Sequence, residues 1–298
     1  MARRRKRKRP VPGVLGWACL LLFALLTFLA ALWVLRPVKV PPRRVKRPPL
    51  KIERMERRAV GTPRKRPSPP AASEGGKPLA TIIIDDMGQK PFLERKFFSL
   101  KVPLNFAFLP YAPFTKELAR EAHQRGFEVL VHIPLDAGNG ERVPGLISLK
   151  MGKEEVKTRV REAILAVPFA VGANHHEGSK FTEDMVHTRW LLEEIAALDF
   201  FYVDSRTTPR TVVPKVALKL GLPFAERRVF LDHKPEEAEI KKALERFIHL
   251  AEKEGGAVAI GHPRAVTLRV LQAERGRLQE KLRLVPASVF IERTWRRP

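Results

Sequence analysis

Two adjacent aspartates, Asp85-Asp86, close a run of isoleucines, Ile82-Ile83-Ile84. Side chains of neighbouring residues on an extended chain diverge. One carboxylate can therefore hold a cation while the other polarises or deprotonates a water molecule. A bound cation lowers the pKa of water far enough to make it a nucleophile at neutral pH. His132 and His176 could complete a three-ligand site with an open position. His262 could protonate a leaving group. Together these side chains read as a metal-assisted hydrolase for an ester or amide.

These residues share one kind of position. Val129-Leu130-Val131 runs into His132, and Ala170-Val171-Gly172-Ala173 into Asn174-His175-His176. Phe200-Phe201-Tyr202-Val203 runs into Asp204, and Val229-Phe230-Leu231 into Asp232-His233. Ala257-Val258-Ala259-Ile260-Gly261 ends at His262. Apolar runs of this length are those of buried strands. In parallel sheets and barrels the C-terminal strand ends form the active face. Any one polar knot is equally well a helix cap, but six at equivalent positions imply one site built from several strands. Other side chains have plainer readings. His123, His187 and His249 lie in helical patterns as surface or packing residues, and Phe106, Phe108, Phe200 and Phe201 read as core.

The elements that must carry the knots alternate along the chain. Strand patterns cover 80–85, 104–109, 128–132, 170–173, 200–204, 229–232 and 257–261. Helix patterns lie between most of them: Thr115–Arg125 with Thr115 as its cap, Glu154–Ala166, Thr182–Leu198, and Pro235–Glu254 with the proline in its first turn. The alternation predicts an α/β fold, a distorted (β/α) barrel of about seven parallel strands, with an open doubly wound sheet as the alternative.

Charge divides the chain differently. Of the formal net charge of +24, residues 1–78 carry +18, from 21 Lys/Arg against 3 Glu. That leaves +6 for residues 79–298, too modest a balance for a nucleic-acid-binding domain. Residues 1–13 form a basic segment expected in the cytoplasm. Val14–Leu35 is an uncharged stretch of 22 residues, the length of a single transmembrane anchor; a cleaved signal peptide is the rival reading. Residues 36–78, rich in Pro, Arg and Lys, read as a disordered linker. The expected topology is single-pass in the cytoplasmic membrane, with the N-terminus inside and the domain at 79–298 outside. The lone cysteine, Cys19, falls within the apolar stretch, so the domain has no disulfides.

The stretch Ile82-Ile83-Ile84-Asp85-Asp86-Met87-Gly88 resembles the opening motif of the divergent polysaccharide deacetylase family. Six further stretches match in order: Phe106-Ala107-Phe108-Leu109-Pro110-Tyr111; Gly126-Phe127-Glu128 through His132-Ile133-Pro134-Leu135-Asp136; Gly172 through Ser179; Val203-Asp204-Ser205-Arg206-Thr207; Phe230-Leu231-Asp232; and Ile260-Gly261-His262-Pro263. The resemblance covers roughly residues 79–290. It implies a distorted barrel and a divalent metal, usually zinc. It implies that Asp85 is the base, that Asp86 and His132 are ligands, and that His262 is the acid. The wider superfamily's second ligand histidine, four residues after the first, is here Asp136. His176 then becomes the candidate third ligand. His175 stands where the family usually has Asn. Asp136, Asn174, His175, Ser179, Asp204 and Arg206 are candidates for orienting ligands or substrate, and Asp232-His233 for a structural or rim role.

The expected function is a membrane-anchored, extracytoplasmic, divalent-metal-dependent hydrolase, zinc being the expected metal, that removes acetyl groups from a cell-envelope carbohydrate. The alternative is a non-catalytic glycan-binding or envelope-organising protein on the same fold, which Asp136 in place of a histidine favours.

Overall fold

The computed structural model describes residues 76–295. The basic segment, the apolar stretch 14–35 and linker positions 36–75 lie outside the described residues. Among the described residues no helix is long and apolar enough to cross a membrane.

Strands and helices alternate as β1 (Leu79–Met87), α1 (Pro91–Phe98), β2 (Asn105–Phe108), α2 (Thr115–Gln124), β3 (Glu128–Leu135), α3 (Lys153–Ala166) and β4 (Ala170–Glu177). Next come α4 (Ser179–Glu183), α5 (Met185–Ala197), β5 (Phe201–Asp204), α6 (Val213–Leu220), β6 (Phe224–Glu226) and β7 (Val229–Phe230). The last elements are α7 (Glu237–Glu254), β8 (Gly256–Gly261), α8 (Ala265–Ala273), α9 (Arg275–Lys281), β9 (Arg283–Leu284) and α10 (Ala287–Thr294).

All strand pairs are parallel, in the order β6-β5-β4-β3-β2-β1-β8-β7, with β9 beside the start of β1. The order never reverses, which removes the doubly wound alternative. The sheet curls until its edges nearly meet. Arg227 N donates to Asp204 O of β5 at 2.9 Å, and Arg228 N donates to Val258 O of β8 at 2.8 Å. One short segment thus leaves one edge and joins the other within two residues. Among the described residues the strands number nine rather than about seven. β6 and β9 are two or three residues long, too short to leave a periodic signal.

Three helix expectations change. Thr182–Leu198 is two helices, broken at Asp184, whose carboxylate accepts from Val186 N and His187 N and caps α5. Thr115 does not cap α2; Phe114 holds that position, and the Thr115 hydroxyl donates to Leu109 O at 2.5 Å. Pro235 precedes α7 rather than sitting in its first turn.

Strand pleating separates two apolar layers. Ile82, Ile84, Phe106, Val129 and Val131 pack outward with Leu118 and Leu191 of the helices. Ile83, Ala107, Leu130, Val203, Val258 and Ile260 point inward, where Ala287, Phe290 and Ile291 of α10 close the lower end. Asn105 fastens that plug. Its amide donates to Thr81 Oγ1 at 2.8 Å and Ile82 O at 2.9 Å, and its carbonyl accepts from Ala287 N at 2.8 Å. Asn105→Ala leaves these buried groups unpaired and should cost roughly 3 kcal/mol. Urea unfolding checks this; a loss below about 1 kcal/mol would show that α10 does not depend on Asn105.

Candidate metal centre

A bulge at the end of β1 separates the two aspartates. The β1–β2 register shifts between Ile84 and Met87, and Asp86 takes φ 56°. Aspartate tolerates this left-handed conformation better than most residues. Asp85 is buried, whereas Asp86 keeps 27% of its side chain exposed at the mouth. The adjacent carboxylates thus occupy different environments.

Asp86, His132 and His176 come together. One donor atom from each lies within 4.8 Å of the other two. Asp86 Oδ1 is 3.2 Å from His132 Nε2 and 2.9 Å from His176 Nδ1. The pairing of β3 with β4 sets His132 opposite Asn174, two residues before His176.

The donor set fits a divalent cation. His132 Nδ1 lies 2.8 Å from Asn174 Oδ1, so this nitrogen carries the hydrogen and Nε2 turns its lone pair to the centre. Asn174 Nδ2 donates to Asp85 Oδ1 at 2.7 Å, which confirms the amide's orientation. Burial works against the charge on Asp86, yet hydrogen bonds from His132 and His176 outweigh it and hold this carboxyl well below the usual range. Burial also opposes a charged His132, but Asp85 and Asp86 push its pKa up to about 9. A cation would displace the protons that this negative potential attracts.

Asp85 differs. Burial pushes its pKa upward, and the positive potential of His132 and His262 only partly offsets this. Its Oδ2 lies 3.7 Å from His132 Nδ1.

His262 reaches the centre from β8, on the other side of β1, with Nε2 3.9 Å from Asp86 Oδ2. Its Nδ1 lies 2.8 Å from Asp232 Oδ1. Asp232 Oδ2 accepts from His262 N at 2.8 Å and from Thr267 Oγ1 at 2.7 Å. Arg264 donates to Asp232 O at 2.6 Å. Burial disfavours a charged His262, but the carboxylate of Asp232 raises its pKa nonetheless. Asp232 therefore fixes the tautomer of His262. Its signal was the neighbouring strand end: β7 and β8 pair Phe230 with Ile260, which puts Asp232 level with His262. His233 is exposed.

The remaining candidates lie away from the three donor groups. Asp136 spends its carboxylate on the following loop, accepting from Gly138 N at 2.8 Å, Ser148 Oγ at 3.1 Å and Leu149 N at 3.3 Å. His175 and Tyr202 lie on the outer face of the sheet, where His175 Nδ1 is 2.8 Å from the Tyr202 hydroxyl. Asp204 accepts from Arg206 N at 2.8 Å and Thr211 Oγ1 at 3.0 Å. The Arg206 guanidinium pairs with Glu226. Ser179 Oγ donates to Thr207 O at 3.3 Å. Arg227, unmarked by any sequence pattern, is half-buried, donates to Arg206 O at 2.6 Å and lies 4.9 Å over the Phe230 ring.

Comparisons with known proteins bear on the family and the fold. The profile of the divergent polysaccharide deacetylase family matches residues 82–291. The chain is 34% identical over 211 residues to the uncharacterized protein YibQ of Escherichia coli K12, covering 70% of this chain and 66% of that one. It is also 34% identical over 205 residues to an uncharacterized protein of Haemophilus influenzae, covering 68% of this chain and 73% of that one. Of solved structures, the uncharacterized protein ATU2773 from Agrobacterium tumefaciens C58 superposes with a TM-score of 0.70 at 16% identity, covering 73% of this chain and 91% of that one.

Asn174→Ala removes the partner of His132 Nδ1 and should weaken zinc binding about 10- to 100-fold. Competitive zinc titration checks this, and affinity equal to wild type would show that Asn174 does not orient the ligand. A second expectation concerns Asp204, whose pKa burial raises to about 6. A raised carboxyl contributes stability below its unfolded value, and that contribution is lost as pH rises through about 6. Relative to Asp204→Asn, wild type should lose roughly 3 kcal/mol between pH 4 and pH 7. Urea midpoints of both proteins at the two pH values test this; parallel behaviour would refute it.

Proposed function

Because the chain belongs to the divergent polysaccharide deacetylase family, we propose that it is a divalent-metal-dependent hydrolase that removes acetyl groups from an envelope carbohydrate. The carrying observation is the group Asp86, His132 and His176, flanked by Asp85 on one side and His262 on the other. A cation held there, Zn²⁺ for its preference for nitrogen and carboxylate donors, supplies Lewis acidity and an activated water.

The chain's own groups do the rest. Asp85, its pKa raised by burial, takes the water's proton. Asn174 holds one oxygen of Asp85, and the other is left to take the proton. His262 delivers a proton from Nε2 to the leaving amine, while Asp232 keeps Nδ1 occupied. Two proton-transfer groups thus approach one centre from different strands.

We place the protein in the cytoplasmic membrane, anchored by residues 14–35, with the domain outside and facing a cell-wall or other envelope polysaccharide. The supports are the uncharged stretch and the basic cluster before it.

A second reading, a non-catalytic glycan binder, draws on Asp136, whose carboxylate is committed to its loop. Turnover separates the two. Zinc-loaded protein should release acetate from N-acetylated glycan. Asp85→Asn and His262→Ala should each lower kcat roughly 10²- to 10⁴-fold with zinc still bound. Metal-loaded protein that releases no acetate from peptidoglycan, chitin oligomers or simple acetyl esters would favour the binder.

A further inference from the structure

All strand pairs are parallel and helices return between them, so helix C-terminal ends and strand starts share one end of the barrel. The metal centre belongs to the opposite end, where Asp86, His176 and His262 stand at or just beyond the ends of β1, β4 and β8. Around the start of β4 the lower end is apolar. Leu165 in the last turn of α3, Phe169 between α3 and β4, Val171 in β4 and Leu198 just after α5 are all exposed. Strand pairing and stacking hold these positions together. Ala170 pairs with Val129 of β3, Gly172 pairs with Phe201 of β5, and the Phe169 ring stacks 4.2 Å from that of His123 in α2. Phe169 has φ 64°, a left-handed conformation that suits Gly or Asn and strains a bulky residue. The backbone is thus strained to hold out a ring that the domain leaves 51% exposed. A contiguous apolar patch of this kind marks a contact surface.

The same end is basic. Among the segments that join a helix to the following strand, the charged residues are Lys101, Arg125 and Asp199. Lys77 precedes β1, and Arg283 opens β9 level with Leu79. A cavity of about 320 Å³ there is lined by Lys77, Arg283 and Gln279 together with Pro103, Leu282 and Leu284. Lys77 Nζ donates to Gln279 O at 3.0 Å, and Gln279 Nε2 donates to Lys101 O at 3.0 Å, which sets Lys101 beside the cavity. Exposed cations next to apolar side chains match a bilayer surface that carries anionic head groups.

We infer that the lower end of the barrel is a membrane-contact face, by which the domain rests on anionic phospholipid with its metal centre turned away from the bilayer. This rests on the proposed placement in the membrane and not on the hydrolysis. The chain enters the domain at this end, through Lys77 and Pro78, so the segment leading from residues 14–35 arrives at the face and not at the mouth of the site. Apolar contact at Phe169 and Leu198 and attraction at Lys77 and Lys101 act together, each reinforcing the orientation that the other favours. The site then opens toward material lying beyond the membrane surface.

Full-length protein carrying Cys19→Ala is reconstituted into vesicles of phosphatidylcholine and phosphatidylglycerol that contain a nitroxide-labelled lipid head group. A pyrene probe is attached through Gln124→Cys at the end of α2, or through Val186→Cys at the start of α5 on the opposite end, both positions being exposed. Quenching by the lipid should be several-fold stronger at position 124 than at position 186. Phe169→Asn with Leu198→Ser should bring the two probes level without lowering the thermal midpoint, and so should Lys77→Glu with Lys101→Glu. Equal quenching at the two probes in the parent protein overturns the face, as does a difference that survives in both variants. Pyrene excimer emission at position 124 in place of quenching assigns the face to a second copy and overturns the lipid contact. Flotation of the same vesicles separates the two readings. Protein that does not float with them contradicts the membrane placement itself, whereas protein that floats with equal quenching contradicts the face alone.

Discussion

The Asn174 side chain joins the parts of the site that must act together. Its carbonyl accepts from His132 Nδ1, and its amide donates to Asp85. A single planar group thereby sets the tautomer of His132, a proposed ligand, and the orientation of Asp85, the proposed base. Both bonds are buried, where hydrogen bonds are stronger and unpaired groups more costly. The strand arrangement makes this bridge possible. β4 lies three strands from β1 in the sheet, so only a curled sheet brings Asn174 against Asp85.

The electrostatics follow from the same closure. Two carboxylates and three imidazoles converge at one end of a narrow barrel lined below by Ile83, Leu130, Val203 and Ile260. Burial alone would neutralise every one of these groups. Their mutual attraction splits them instead: Asp86 is held charged, Asp85 is pushed toward neutrality, and His132 and His262 are drawn toward the charged state. A site with this balance is suited to binding a cation and moving protons beside it.

Much of this is legible in the sequence. Apolar runs ending in Asp, His or Asn marked β1, β3, β4, β5 and β8 because central parallel strands are apolar on both faces. What escaped was set by pairing rather than by composition. β6 and β9 are recognisable only by their neighbours. Asp232 looked peripheral because its sequence neighbour His233 faces solvent, while its spatial neighbour His262 lies thirty residues on. Side-chain direction was also hidden. Asp204 ends a strand as the other acids do, yet its carboxylate engages the loop at Arg206 and Thr211 on the outer side.

The pairing of β1 with β8 matches Leu79 with Gly256, the first strand with one near the end of the described chain. β1 also carries both aspartates. As the chain emerges from synthesis, β2, β3 and β4 can assemble beside β1 and bring Asp86, His132 and His176 together early. The other edge of β1 stays unpaired until β8 arrives, and His262 comes with it. The Asp86–His132–His176 half of the centre can therefore form in the first part of folding, whereas His262 joins it in the last. Until then an apolar strand lies open to pairing with other chains.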